Sequence, residues 1–175
     1  MLTAEQIVAS APAVDDTLTL PFDVRQKSRF KTLLDSGREL VVRLPRGSRV
    51  HDGTLLATSD GLVIRVRAAV ETLSVVETTD PLLLTRAAYH LGNRHVPLQV
   101  ELGRLSYLHD HVLDDMLHQL GLHVVVREGP FEPEHGAYGG HSSGGHAGHH
   151  HDQEHAHDQE HAHGPEHAHG HEHGH

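Results

Sequence analysis

Twenty-two of the 175 residues are histidine, and fourteen of these crowd between His141 and the last residue, His175. The fourteen are His141, His146, His149, His150, His151, His155, His157, His161, His163, His167, His169, His171, His173 and His175. Neutral imidazole is the commonest side-chain metal ligand. It suits nickel, zinc and copper(II). Carboxylates are threaded among the rings: Asp152, Glu154, Asp158, Glu160, Glu166 and Glu172. The unit Asp152-Gln153-Glu154-His155-Ala156-His157 recurs identically as Asp158 to His163, then as Gly164-Pro165-Glu166-His167-Ala168-His169. A six-residue period is too short for a stacked repeat. It spaces ligands along a string. With no apolar residue larger than Ala, the segment cannot offset its ordering entropy and is expected to be disordered. Such a chain wraps several ions with little selectivity, because no fixed geometry rejects the wrong metal. Only His149 to His151 form a consecutive run and no cloning linker precedes them, which sets the segment apart from an expression tag.

The histidines of the preceding body offer ordered sites. His90 and His95 are five apart, about 140° on a continuous helix, so one helical face cannot chelate an ion with both. A lone His95 reads more readily as structural than as functional, and spacing alone does not single it out. Two copies across a two-fold axis, however, bring the same imidazole twice to one point. His109 and His111 flank Asp110. On an extended segment, side chains two apart share a face, which would make either a two-imidazole site or a relay toward the tail. Asp110 itself reads equally as a ligand or as a helix cap. His118, four residues after Asp114 on a helix's polar face, reads as surface; His51 lies in a turn.

The elements that must hold these residues follow from periodicity and turn residues. Residues 1 to 73 read as a small β-domain. Leu18 and Leu20 alternate with Thr19, Glu39 to Leu44 is strand-like, and Leu62 to Ala68 alternates polar and apolar. Turns fall at Pro45-Arg46-Gly47, His51-Asp52-Gly53 and Asp60-Gly61. Arg25, Lys27, Arg29 and Lys31 surround Phe30, either as a solvated strand or as a docking patch for an acidic partner.

After that, Leu73 to Glu77 reads as a strand. Asp80 caps a helix with Pro81 at its first position. Leu83, Leu84, Ala87, Ala88 and Leu91 line that helix, and Gly92 is its expected C-terminal stop. Val96 to Leu102 and Arg104 to Leu108 read as strands around a Gly103 turn. A second helix carries Val112, Leu113, Met116, Leu117 and Leu120, and Gly121 ends it; Leu122 to Val126 is a final strand. The fold class is therefore α+β: a small N-terminal β-domain (1–73), a ferredoxin-like β-α-β-β-α-β domain (74–138) and a disordered histidine-rich tail (139–175).

Composition excludes several classes. With no cysteine, disulfides, thiolate zinc sites and iron–sulfur clusters are impossible. A formal net charge of -10 argues against a nucleic-acid binder. No apolar run approaches a membrane span, and no secretory signal pattern is visible, so the expected location is cytoplasmic. No HExxH, serine-nucleophile or P-loop motif is present, and the chain does not read as an enzyme.

Tyr89-His90-Leu91-Gly92-Asn93-Arg94-His95-Val96-Pro97 and His109-Asp110-His111-Val112-Leu113, together with Pro130-Phe131-Glu132-Pro133, Gly136-Ala137-Tyr138 and the histidine-rich tail, resemble the UreE family of urease accessory metallochaperones. The likeness spans nearly the whole chain; the GNRHxP and HDHVL segments carry it more specifically than the tail. It implies an N-terminal domain of peptide-binding type and a homodimer. It further implies that His95 binds nickel(II) with its symmetry mate and that His109 and His111 form additional metal sites. The tail histidines would collect further ions, with zinc(II) or copper(II) as competitors. Nickel would pass through a GTPase accessory protein, UreG, to the urease pre-activation complex. Lys31 stands where the family's pattern leads us to expect arginine, which keeps the charge but not the rigid fork. The rival reading is a histidine-rich storage or detoxification buffer with no transfer partner.

Overall fold

The computed structural model describes residues 1–135. The tail, with its fourteen candidate ligands and its expected disorder, lies outside the described residues.

Six strands form the first sheet: β1 (Leu2–Val8), β2 (Asp16–Leu20), β3 (Arg29–Leu33), β4 (Glu39–Arg43), β5 (Leu55–Thr58) and β6 (Val63–Ala68). Their order is β2-β6-β5-β1-β4-β3. β1 pairs with β4, and β2 with β6, in parallel; the other pairings are antiparallel. The period-two pattern places Leu18 and Leu20, Leu40 and Val42, and Ile64 and Val66 inward, where with Leu56 they form one apolar cluster. Each such side chain contributes roughly 1.5–3 kcal/mol by leaving water. The domain is not purely β. One helical turn, α1 (Phe22–Arg25), follows Pro21 and buries both Phe22 and Arg25.

The chain changes sheets at Ala69. The second sheet holds β7 (Val70–Glu77), β8 (Gln99–Glu101), β9 (Arg104–Leu108) and β10 (Val124–Pro130), with helices α2 (Pro81–Gly92) and α3 (His111–Gln119). The strand order is β10-β7-β9-β8, and every pairing is antiparallel. Leu73 to Val76 are all buried, because β7 is covered on both faces. Val76 packs with the helices, beside Ala87, Leu91, Leu105, Tyr107, Leu117 and Leu122. Leu73 and Val75 pack the other way, against Phe22 of α1 and Phe131. The two phenyl rings meet edge to face, with centroids 5.1 Å apart. Among the described residues no helix is long and apolar enough to cross a membrane.

Three strands of the second sheet start elsewhere than the sequence reading has them, each for a backbone reason. β7 starts at Val70, because its antiparallel ladder with β10 runs on to Pro130. β8 is only three residues long: the Val96 N–H is taken by the end of α2, and Pro97 has none to give. β10 starts at Val124, because the Leu122 N–H closes α3 through Leu117.

Arg25 departs further from expectation. It is 1% exposed and therefore no part of a surface basic cluster. Its Nε donates to the Leu20 carbonyl at 3.2 Å, and its two terminal nitrogens bond the Phe131 carbonyl and the Glu132 carboxylate. Glu132 also accepts from the Asp52 N–H at 3.0 Å and pairs with His51 Nδ1 at 3.2 Å. One buried guanidinium thus ties α1 to the segment after β10. The clusters named above lie between Ala4 and Phe131. A chain ended after Gly139 therefore keeps all three, and it coincides with a compact unit, Met1–Gly139.

Truncating one partner of a buried ion pair typically costs about 3–5 kcal/mol. Arg25→Ala is expected to destabilise toward the lower end of that range, because Glu132 keeps some solvent access. Arg25→Lys should recover little, since lysine lacks the fork that reaches three acceptors. Urea denaturation of both variants checks this; a loss under about 1 kcal/mol in Arg25→Ala would show that the clamp is not structural.

Candidate metal centre

α2 begins as its sequence requires. Asp80 accepts from the N–H groups of Leu82 (2.9 Å) and Leu83 (3.1 Å), with Pro81 at the first helical position. Its end is less ordinary. Gly92 remains helical and is not the stop. The chain runs on until the His95 N–H donates to the Gly92 carbonyl (2.9 Å) and the Val96 N–H to the Leu91 carbonyl (3.3 Å). This pair of bonds demands a left-handed residue between them, and that residue is His95, at φ 57°. It is the only non-glycine with positive φ among the described residues.

α3 closes in the same way: the Gly121 N–H donates to His118 (2.9 Å) and the Leu122 N–H to Leu117 (3.0 Å), with Gly121 at φ 87°. Where one helix uses the residue that adopts this conformation freely, the other uses histidine, at a cost on the order of 1 kcal/mol. Strain of this kind persists where something other than stability selects the residue.

His95 is exposed. It lines a groove of about 480 Å³ with Val96, Pro97, Leu98, Val100 and His135. Among the described residues its imidazole meets no hydrogen-bond partner, which leaves both ring nitrogens uncommitted. The segment after β10 runs beside it: the Glu134 N–H donates to the Leu98 carbonyl at 2.7 Å. His135 packs against His51 with ring centroids 4.4 Å apart and the ring planes tilted by 59°, so the turn histidine His51 has a neighbour. His90 lies on α2, with its ring edge-on to Tyr89.

His109 and His111 do not lie on an extended segment. Asp110 is the cap of α3, accepting from Val112 N–H (2.8 Å) and Leu113 N–H (3.3 Å), and His111 is the first helical residue, exposed. The helix wins because its first N–H groups need acceptors. His109 is drawn inward instead. Its Nδ1 lies 3.0 Å from Ser74 Oγ and 3.2 Å from Asp114 Oδ2. Asp114, expected on the polar face with His118, is buried, while His118 is exposed. Tyr107 donates to its Oδ1 at 2.6 Å. Burial first, and then the Asp114 carboxylate, push the Tyr107 hydroxyl well above its ordinary pKa. Sequence reasoning missed Ser74, Tyr107 and Asp114. The one visible signal was a carboxylate three residues before Leu117, inside the apolar stripe.

Among the described residues, no three His, Asp or Glu side chains converge to hold an ion. The arrangement supplies imidazoles singly: one at a strained helix end and one fixed by a polar network.

If the left-handed position strains His95, His95→Gly should stabilise the protein by about 1 kcal/mol, whereas His95→Ala keeps the strain and gains nothing. Thermal unfolding of the two variants decides it. A lower Tm for His95→Gly than for the parent would mean the imidazole supplies packing that the geometry does not reveal.

The chain matches the UreE urease accessory protein N-terminal domain over residues 2–69 and the C-terminal domain over residues 71–175. A urease accessory protein UreE of Alkalilimnicola ehrlichii is 59% identical over 140 residues, covering 80% of this chain and 86% of that protein. The one from Citrobacter koseri is 53% identical over 152 residues, 86% of this chain and the whole of its relative. The Pseudomonas putida protein is 58% identical over 127 residues, 72% and 77% of the two chains. With both domains matched and identities of this size over most of its length, the chain belongs to the UreE family of urease accessory proteins.

Proposed function

We propose that this protein is a non-enzymatic, cytoplasmic carrier of nickel(II), which it takes as cargo and releases by histidine ligand exchange for assembly of the urease active site. The observation that carries this reading is His95, an exposed imidazole kept in a left-handed position that glycine fills at the end of α3. One imidazole does not hold an ion. In the homodimer that the family likeness implies, a two-fold axis brings His95 to its symmetry mate, and the ion sits between them. All-imidazole ligation without thiolate leaves the ion exchangeable. His109 and His111 provide additional sites, and the tail histidines collect further ions and raise nickel's local concentration by tethering. Zinc(II) and copper(II) compete for the same ligands. UreG and the urease pre-activation complex are the receivers.

In this reading residues 1–73 form a partner-binding β-domain of peptide-binding type. Residues 74–138 form a ferredoxin-like metal-binding and dimerisation domain, a class supported by the β-α-β-β-α-β order and the all-antiparallel sheet. Residues 139–175 are the collecting tail.

The abundance of tail histidine favours one rival, a storage buffer. Calorimetric nickel titration, with mass measured alongside, separates the two in a chain ended after Gly139 and in its His95→Gly variant. A carrier gives a dimer with one tight nickel site that His95→Gly abolishes. It also loses affinity between about pH 7.5 and about pH 5.5, because protonated imidazole cannot ligate. Loss of all tight binding on truncation, or indifference to His95→Gly, would leave the buffer as the better account.

A further inference from the structure

Ser74 of β7, Tyr107 of β9, Asp114 of α3 and His109, in the link between β9 and α3, make one polar cluster. Ser74 and Tyr107 face each other across the β7–β9 ladder, and both are fully buried. The Tyr107 hydroxyl commits its only proton to Asp114 Oδ1, at 2.6 Å. The Ser74 hydroxyl lies 3.0 Å from His109 Nδ1, and as a hydroxyl it can accept there as well as donate. Asp114, as a carboxylate, has no proton. His109 Nδ1 also lies 3.2 Å from Asp114 Oδ2, and a carboxylate oxygen can only accept. The proton in this gap must come from the imidazole. A lone pair on Nδ1 would instead face an ionised carboxylate.

We propose that Asp114 is a positioning residue: it holds His109 as the Nδ1–H tautomer, so that Nε2, across the ring, offers its lone pair to a divalent cation. A metal-bound imidazole usually donates its second nitrogen to a carboxylate in this way, and the partner fixes both tautomer and ring orientation. The surroundings suit the task. The His109 side chain is 38% exposed while that of Asp114 is 11% exposed, so the carboxylate is shielded and the ring's outer edge is not. The backbone is held as well, by the His109 N–H to the Thr72 carbonyl at 3.0 Å. Asp110 sets where α3 begins, and with it the position from which Asp114 reaches the sheet. His111, one step past the cap, has none of this support. The two histidines of the HDH element are therefore unequal, His109 being a preorganised ligand and His111 a freely rotating one.

The proposal rests on the reading of His109 as a metal ligand, and two measurements separate the two ideas. Long-range nitrogen–proton NMR spectra of the metal-free chain ended after Gly139 report the tautomer, with His109→Ala used for assignment. The His109 proton is expected on Nδ1. Asp114→Asn, which keeps the shape but removes the charge, should shift it toward Nε2. Ser74→Ala, which leaves the carboxylate in place, should not. Nickel titration then follows in the His95→Gly background, where the remaining binding is read. Asp114→Asn should weaken the His109-dependent site by about 10–100-fold, and Ser74→Ala should weaken it much less. A parent proton on Nε2, or a tautomer unmoved by Asp114→Asn, overturns the positioning role directly. If His109→Ala leaves nickel binding in that background unchanged, the ligand reading falls and the proposal with it, whatever the spectra show.

Discussion

The end of α2 is the constraint on which the candidate site depends. A helix leaves its last carbonyls without partners, and closing back onto Leu91 and Gly92 satisfies two of them at once. That closure forces the residue between the two donors into left-handed backbone. It also turns the chain so that Val96 packs on the apolar cluster containing Leu91. His95 is thus on a corner pinned from both sides, by hydrogen bonds behind it and a buried contact ahead of it. An imidazole on such a corner loses little further freedom on binding, which is the usual benefit of building a site on rigid elements. Glycine would make the same corner at lower cost, but it would carry no ligand.

The second sheet supports its two kinds of histidine differently. His95 has a fixed backbone and a ring with no hydrogen-bond partner among the described residues, which suits the proposed role of a ligand shared between two copies. His109 has a ring fixed by Ser74 and Asp114. Both depend on β7. Its Leu73 and Val75 face one apolar cluster, while Val76 faces the other and Ser74 joins the polar network. The network is therefore anchored on a strand buried on both faces.

Local chemistry was legible in the sequence where the signal itself is local. Asp80-Pro81, Asp110 and Gly121 punctuate the helices as their side chains and conformational freedom dictate. What was not legible depended on distant partners. Gly92 and His95 both stand near the end of one helix, and the choice between them is made by where Val96 finds its apolar neighbours. The HDH element carried two incompatible readings, and the orphan N–H groups of α3 decided for the cap. Arg25 looked like one of a run of surface cations because its acceptors, at Phe131 and Glu132, lie 106 and 107 residues away. Asp114 was assigned to the polar face for the same reason: nothing near it in sequence announces Tyr107 and Ser74 beneath it.

Arg25 also fixes the segment that follows β10. The chain leaving β10 is held by the buried Phe131, by Glu132 and by the bond from Glu134 to Leu98. Leu98 is only three residues beyond His95, and His135 lines the same groove as His95. The described chain therefore ends beside the strained corner, where the Arg25 clamp and the Glu134–Leu98 bond hold it, and His135 and His95 share one groove although forty residues separate them in sequence.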